Sequence, residues 1–540
     1  MVYSKKITKM NLYIKNSQIK IDNLEKNYFD YKNYSNAIKE LENNYGFIKK
    51  LISSTKYKQN FLSNKQFTSF IYHFFLYYLL NWSESRYHKK LHYLSWHTII
   101  NFLKKNKKKF QTVELDYSNG NLDLIAKYYT NMNLKVSKKN NPLTYNFFWY
   151  TYRYFLFLGF LSRLFFYKKN EKSKLESDSI FVSNYDRYYK NKNYFSEEFI
   201  KSKLLTNFLE KEIHIKPKKS KVLYLKYNPR NLSNYIKRRE HDFLFLEDFL
   251  EKKIFFKFLF KKNPKLNLKN DYRPEDIKWY LVEAYNMFLK NEFKFLFAHY
   301  LSIENNMPKN ISFVISDIET NLFFYSLLIS KKIRQSNLNL ISFSHDTISN
   351  ISSKLTFSID YSIFPDFKLV WDSNGKDLLV KKYDYPPNKI KIFPDPRFLY
   401  WQKFSMKPKS ILLLSTLEED YYNKIISLGK NPFYVKLVKK GYFFFFKPHP
   451  IELGNAKKVS KLNELCKIEG MYKIESLDFI PEYVVGNISI MLYELYQNGS
   501  TPFFYSKDNI FNFEESYFRS QFSKDLNSAL NSILDKFKKG

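Results

Sequence analysis

The sequence predicts an α/β protein with two Rossmann-like domains facing a cleft and a helical N-terminal extension. Three observations predict it. Short apolar runs recur along the chain: SIFVS (179–183), KVLYL (221–225), ISFVIS (311–316), LISFS (340–344), ILLLS (411–415), FFFFK (443–447) and YVVG (483–486). A continuous apolar run of that length reads as a strand buried on both faces. Helically patterned stretches such as 196–212 and 275–301 lie between them, and strands alternating with helices make βαβ units and a parallel sheet. A chain of 540 residues is too long for one core and should divide into two or three domains.

From the N-terminus, residues 1–110 read as the helical extension. Ser69 to Leu80 is apolar, and Trp82 to Lys105 is amphipathic and basic. His88 and His92 share a helix face at i, i+4. That spacing suits zinc, but no Glu stands where a metalloprotease helix needs one, so a solvated basic face is the reading. The opening MVYSKKITKMNLYIKN has no apolar h-region, and no secretory signal is expected.

Residues 111–365 are expected to form the first Rossmann-like domain. It opens with strand, turn, helix and strand over 111–136. Asp116 ends the first of these strands beside the turn Ser118-Asn119-Gly120, which is either an acceptor-side wall or a plain turn. Further on, Asp317 and Glu319 follow one strand, and His345 with Asp346 follows another. In open α/β sheets the carboxyl ends of strands face the ligand crevice, so Asp317, Glu319 and His345 are acceptor-side candidates. A satisfied loop histidine is the plainer reading of His345.

The stretch 145–167, YNFFWYTYRYFLFLGFLSRLFFY, is long enough to cross a bilayer. Arg153 and Arg163 lie within it, however, and Tyr and Trp are spread through it rather than kept to its ends. It therefore reads as an interfacial helix, a buried core helix or a true span, with the first favoured. Lys168, Lys169, Lys172 and Lys174 follow directly and suit anionic headgroups.

Residues 366–540 are expected to form the second Rossmann-like domain. FKLVW (367–371), KDLLVKKY (376–383) and KIKIF (389–393) read as strand, helix and strand, and Pro394-Asp395-Pro396-Arg397 then reads as a stiff crossing between the domains. Residues 514–538 read as a C-terminal helix. The most informative stretch is Gly441 to Pro450, GYFFFFKPHP. Its apolar run stops at Lys447 because Pro448 lacks an N–H and holds the residue before it extended. A cation and the imidazole of His449 are thus placed just past the end of a buried strand. Downstream, the strand through Gly486 breaks at Asn487 and restarts as a helical pattern from Ser489 to Tyr496, with Ser489 placed as its N-cap. The start of such a helix offers free N–H groups and partial positive charge to a phosphate.

In order, LSTLEEDYYNK, KPHP and GNISIMLYEL resemble the C-terminal half of bacterial sialyltransferases and polysialyltransferases of GT-B fold. Those enzymes carry an acidic pair followed by Gly, then His-Pro, then a serine pair before a helix. The resemblance spans residues 340–510. It places Glu419 and Asp420 on the acidic pair, His449 and Pro450 on His-Pro, and Ser489 on the serine motif. Tyr421 stands where the family has Gly, Ile490 where it has the second Ser, and Ile451 where Arg is common. Kdo transferases and the polyol-phosphate transferases of capsule and teichoic-acid synthesis share the Lys-Pro-His-Pro and Ser-then-helix elements.

The resemblance implies a metal-independent, inverting glycosyltransferase whose donor is a nucleotide sugar, a CMP-linked acidic sugar first. The acceptor is a surface glycan or a lipid-linked one. A CDP-polyol phosphotransferase is the alternative. Asp420, helped or replaced by Glu419, would take the acceptor proton. His449 and Lys447 would stabilise the leaving phosphate. Ser415, Thr416, Asn487 and Ser489 would line the donor, and Glu494 would reach a ribose hydroxyl. No metal and no cofactor beyond the sugar nucleotide is expected.

Composition bounds the rest. There are 89 Lys and Arg against 52 Asp and Glu, a net charge of +37. The surplus implies attraction to polyanions or to an anionic membrane face, unless compositional bias has simply placed lysines on solvated surfaces. A basic nucleic-acid-binding protein is the competing class, but the chain shows no zinc module, RNP-type strand or helix-turn-helix signature, so no specific nucleic acid is expected as a partner. The single cysteine, Cys466, excludes an internal disulfide and fits a reducing cytoplasm. The expected location is the cytoplasm, peripheral at the inner face of the cytoplasmic membrane.

Overall fold

The computed structural model describes residues 10–15, 18–21, 24–27, 39–57, 61–80, 96–97, 100–101, 110–116, 126–128, 135–139, 161–162, 164–165, 171–183, 202–224, 244–259, 261–273, 275–316, 321–334, 336–343, 364–371, 373–383, 385–393, 401, 403–415, 419–448, 463–465, 467–474, 476–486, 490–505, 522–523 and 526–539. The chain divides into two compact units. Unit 1 comprises Met1–His345, Ile351–Leu369 and Tyr383–Lys391, and unit 2 comprises Asp346–Asn350, Val370–Lys382 and Ile392–Gly540.

Unit 1 opens with strands β1 (Met10–Lys15), β2 (Gln18–Ile21) and β3 (Leu24–Asn27). Apolar residues alternate along β1 and β2, and the antiparallel register sets Leu12 against Ile21 and Ile14 against Ile19, as a period of two requires. Residues 1–110 are therefore not helical throughout. The alternation is short and crossed with Lys and Asn, which hides it beside the stronger helical pattern of Ser69 to Leu80. Next come α1 (Tyr45–Ser53), β4 (Thr55–Lys56) and α2 (Asn64–Leu80). Then β5 (Phe110–Asp116) and β6 (Lys135–Lys139) run parallel to β1, completing a five-stranded sheet of order β3-β2-β1-β5-β6. The strands expected at 111–136 are present, but they pair with the N-terminal strands instead of opening the Rossmann-like sheet.

That sheet is built from β7 (Ser179–Ser183), β8 (Ser220–Tyr224), β9 (Leu244–Phe245), β11 (Phe313–Ser316), β12 (Asn339–Phe343), β13 (Phe367–Val370) and β14 (Ile390–Ile392); β10 (Lys265–Leu266) pairs with β4 instead. The order is β14-β13-β12-β11-β7-β8-β9. Strands β7, β8, β9, β11, β12 and β13 are all parallel. The chain steps from β7 to β8 and β9, then returns to the other side of β7 with β11. Such a reversal is the topological switch point of a doubly wound sheet.

Helices α3 (Lys252–Leu259), α4 (Ile277–Asn291), α5 (Phe293–Asn306) and α6 (Leu322–Arg334) contribute to the described core of unit 1. Much of that core is aromatic. Phe70 lies 4.6 Å from Phe74 and 4.8 Å from Phe297, and Phe293 stacks on Phe297 at 5.4 Å. Tyr325 on α6 donates to the His73 carbonyl on α2 at 3.1 Å. Rings that bury a large area and interlock edge to face give rigid contacts, which is one structural use of a chain that is 20% aromatic.

Unit 2 is a single parallel sheet of β15 (Met406–Leu414), β16 (Phe443–Lys447), β17 (Met471–Lys473), β18 (Ile480–Gly486), β19 (Thr501–Tyr505) and β20 (Phe522–Ser523). Its order is β17-β16-β15-β18-β19-β20, which numbered along the chain is the Rossmann order 3-2-1-4-5-6. Ile411, Leu413, Phe444, Phe446 and Val485 pack on one face beneath residues of α7 (Glu419–Ile426), α8 (Pro432–Lys439) and α11 (Leu526–Lys539). Helix α10 (Ile490–Gln497) packs on β18 and β19. Gly441 ends α8 at φ +83°, the left-handed geometry that lets the chain leave a helix and start a strand.

The fold is thus α/β with two Rossmann-like sheets, one in each unit. Among the described residues no helix is long and apolar enough to cross a membrane. Most of 145–167 lies outside them, as do His88, His92 and Pro394 to Arg397.

Candidate functional site

The carboxyl edge of the unit 2 sheet is where the sequence motifs converge. Register aligns Leu414 with Lys447 and Leu413 with Val485, so β16, β15 and β18 end together. Beyond the last ladder pair, the Ser415 N–H donates to the Lys447 carbonyl at 3.1 Å. The chain reverses direction across the sheet between β15 and β18, so the switch point falls at the carboxyl ends of these two strands. An apolar sheet interior thus brings Lys447 and the start of α10 towards one edge, the edge that receives phosphates in doubly wound folds.

Parity along the strands adds detail. Leu412 pairs with Val484, so two residues on Leu414 lies beside Gly486, with Lys447 on its other side. Paired residues of parallel strands point the same way. Lys447, half-buried, therefore rises on the face that α10 covers. Gly486 makes that covering possible. A Cβ there would meet Leu414 Cβ at 3.1 Å, and Leu414 Cδ1 and Leu492 Cδ1 at 3.3 Å. Only a residue without a side chain lets α10 seat this close to the strand ends.

Glu494 on α10 is buried, and its Oε2 accepts a hydrogen bond from Trp401 Nε1 at 2.8 Å. The side chain expected to reach a ribose hydroxyl is thus held on one oxygen by an indole 93 residues earlier in the chain. Sequence reasoning missed Trp401. The available signal was chemical: a tryptophan that becomes buried seeks an acceptor for its N–H, and only six tryptophans occur in the chain.

The remaining candidates are placed as follows. Helix α7 begins at Glu419, so Glu419 and Asp420 form its first turn after β15; their side chains are outside the described residues. Helix α10 begins at Ile490, one residue after Ser489. Thr416, His449, Asn487, Ser489, Asp317, Glu319 and His345 also lie outside the described residues. Their flanking strands are described: β11 ends at Ser316 and β12 at Phe343, both at the carboxyl edge of the unit 1 sheet. Asp116 ends β5 opposite Lys139. It belongs to the five-stranded sheet and so is not on that edge, because β5 found its partner in β1. Among the described residues no group of three His, Cys, Asp or Glu side chains is arranged to hold a metal ion.

No family model matches the chain. In solved structures, similarity is found to the UDP-GlcNAc 2-epimerase of Neisseria meningitidis bound to UDP-GlcNAc, at 11% identity and a TM-score of 0.35 over 67% of this chain and 90% of that one. The UDP-GlcNAc 2-epimerase of Methanocaldococcus jannaschii is similar at 13% identity and a TM-score of 0.34, over 66% and 91%. The wall teichoic acid polymerase TagF is similar at 10% identity and a TM-score of 0.31, over 69% and 82%. At these scores no role is taken from them for any residue. Full-length similarity is found to the uncharacterized protein MJ1060 of Methanocaldococcus jannaschii, which is 35% identical over 522 residues, covering 92% of this chain and 95% of that protein. Identity of that extent across both units means that the chain belongs to the family of MJ1060.

Proposed function

We propose that this protein is a glycosyltransferase that takes an activated sugar from a nucleotide donor, with unit 2 holding the nucleotide. The observation that carries the reading is the 3-2-1-4-5-6 strand order of unit 2, whose switch point falls between the two motif-bearing strands β15 and β18. Here Ser415, Lys447 and the start of α10 come to one edge. Lys447 and His449 stabilise the departing phosphate, and the first N–H groups of α10 bind it. Glu494, fixed by Trp401, orients the ribose. Asp420 on the first turn of α7, with Glu419 beside it, takes the proton of the acceptor hydroxyl. Transfer is then a direct displacement: the acceptor oxygen forms a bond to the anomeric carbon as the bond to the donor phosphate breaks, and the configuration inverts.

The order and spacing of the sialyltransferase-like motifs favour a CMP-linked acidic sugar as donor and a glycan or lipid-linked glycan as acceptor. The excess of positive charge favours work at an anionic membrane surface. A thermal-shift screen of CMP, CDP and UDP tests the donor. Stabilisation by CMP supports the reading, stabilisation by CDP alone moves the protein to the CDP-polyol phosphotransferases, and stabilisation by duplex DNA with no response to any nucleotide refutes it.

A further inference from the structure

A row of polar side chains crosses the centre of the unit 1 sheet, and the transfer chemistry proposed above does not use it. Ser316 ends β11 and pairs with Ser342 on β12. Ser342 in turn pairs with Lys368 on β13. Residues paired across parallel strands point to the same side, so the three share one face. Asn321 identifies that face. Its Nδ2 donates to Ser316 Oγ at 2.6 Å, while its Oδ1 accepts the Phe324 N–H at 2.7 Å and so caps α6. The positive end of a 13-residue helix thus starts beside the row.

These are expensive groups to bury. Ser316 and Ser342 are 0% exposed, and Asn321 and Lys368 are 5% exposed. Ser342 Oγ has no hydrogen-bond partner among the described residues, and a buried hydroxyl left in that state destabilises the fold. Burial also brings the Lys368 amine down from its ordinary 10.5 to about 7, because removal from water disfavours the charged form. Asp366, two residues earlier, accepts from Lys331 Nζ at 2.6 Å and from the Leu340 N–H at 2.8 Å. The ring of Tyr385 lies 5.9 Å from Lys368 Nζ. The row therefore combines an amine donor that is charged below about pH 7, an unused hydroxyl donor and a helix start on one face of the sheet.

We propose that this row is a second ligand site, one that takes an oxyanion, a phosphate or a carboxylate, with Lys368 supplying the charge, Ser342 Oγ a hydrogen bond and the start of α6 its N-terminal field. The site itself is read from unit 1 alone. Only the identity of its natural occupant, the acidic group of the acceptor, rests on the glycosyl-transfer reading. A lipid-linked acceptor would present a phosphate and an acidic glycan a carboxylate.

The test titrates the full chain calorimetrically with inorganic phosphate and, in a separate arm, with glucuronate, using wild type, Ser342→Ala and Lys368→Met. The wild type should bind one of the two anions, and the preferred arm names the source. Ser342→Ala should weaken that binding at least about tenfold, the worth of a hydrogen bond to a charged group, while raising the melting temperature of the ligand-free protein. That opposed pair of effects separates a ligand donor from a structural hydroxyl. Lys368→Met should remove the binding. A wild type that binds neither anion overturns the site, as do variants that bind like the wild type. CMP stabilisation persisting in either of those cases would leave the nucleotide reading standing and end this one.

Discussion

Lys368 gives the sharpest quantitative expectation. Its amine is buried and titrates at about 7 in place of 10.5. Below pH 7 the folded protein must hold a charged amine out of water, and the whole penalty is present. Between pH 7 and 10.5 the unfolded chain carries a proton that the folded chain has released, so stability rises with pH. Each pH unit across that window is worth about 1.4 kcal/mol, so the penalty is roughly 4 kcal/mol at pH 7 and about 2 kcal/mol at pH 9. Lys368→Met keeps most of the length of the side chain and removes the titration. The variant should therefore be the more stable protein at pH 7, and its advantage should shrink by about 2 kcal/mol by pH 9, which is roughly 3 °C in Tm for a unit of this size. Differential scanning fluorimetry of both proteins across this range is sufficient. The half-buried Tyr57 and the buried Tyr128, both raised to about 12 by desolvation, act in the opposite sense, since stability falls once the unfolded tyrosine begins to ionise. That begins near pH 10, above the pH 7 to 9 range of the comparison, and is common to both proteins. Melting curves for wild type and variant that stay parallel from pH 7 to 9 would refute the buried-amine argument.

Trp401→Phe removes the donor that holds Glu494 Oε2 and should cost about 2 kcal/mol in urea denaturation while weakening CMP binding; strictly additive effects with Glu494→Ala would show the two side chains to be uncoupled. Gly486→Ala forces a Cβ to 3.1 Å from Leu414 Cβ, an overpacking worth about 1–3 kcal/mol, and unchanged stability would mean that the strand ends are looser than this contact implies. His449→Ala should lower kcat by about 10²–10³, as loss of one electrostatic stabiliser does, and Asp420→Asn should abolish transfer but spare nucleotide binding; an active Asp420→Asn with a dead Asp317→Asn would move the base to unit 1. In liposome flotation, binding to phosphatidylglycerol vesicles should fall steeply with salt, and binding that withstands high salt and alkaline carbonate would instead mark an integral segment.

The buried strands were legible because their signal is local. A strand covered on both faces needs a continuous apolar run, and FFFFK, ILLL and SIFVS supply one without reference to anything distant. The observed strands Phe443–Lys447, Met406–Leu414 and Ser179–Ser183 contain those runs. The stop at Lys447 follows from Pro448, and the helix after Leu414 begins at Glu419 within the acidic turn. From such local patterns the α/β class and the motif-bearing strands of unit 2 could be read directly.

Partners could not be read in the same way. Nothing in Phe110–Asp116 says that β1, one hundred residues earlier, is its neighbour, because a strand's edges offer the same N–H and C=O groups to any other strand. Trp401 and Glu494 meet across 93 residues. Ser316, Ser342 and Lys368 lie in three separate runs and become one row only through register. Local residue pattern identified the strands that are buried on both faces and the residues at their ends, but not the short alternating strands β1 to β3. The tertiary structure decided which strands adjoin and which buried polar groups share a face. The physical reason is that periodicity is a property of a few neighbouring residues, whereas strand order and register are settled by the packing of the whole unit.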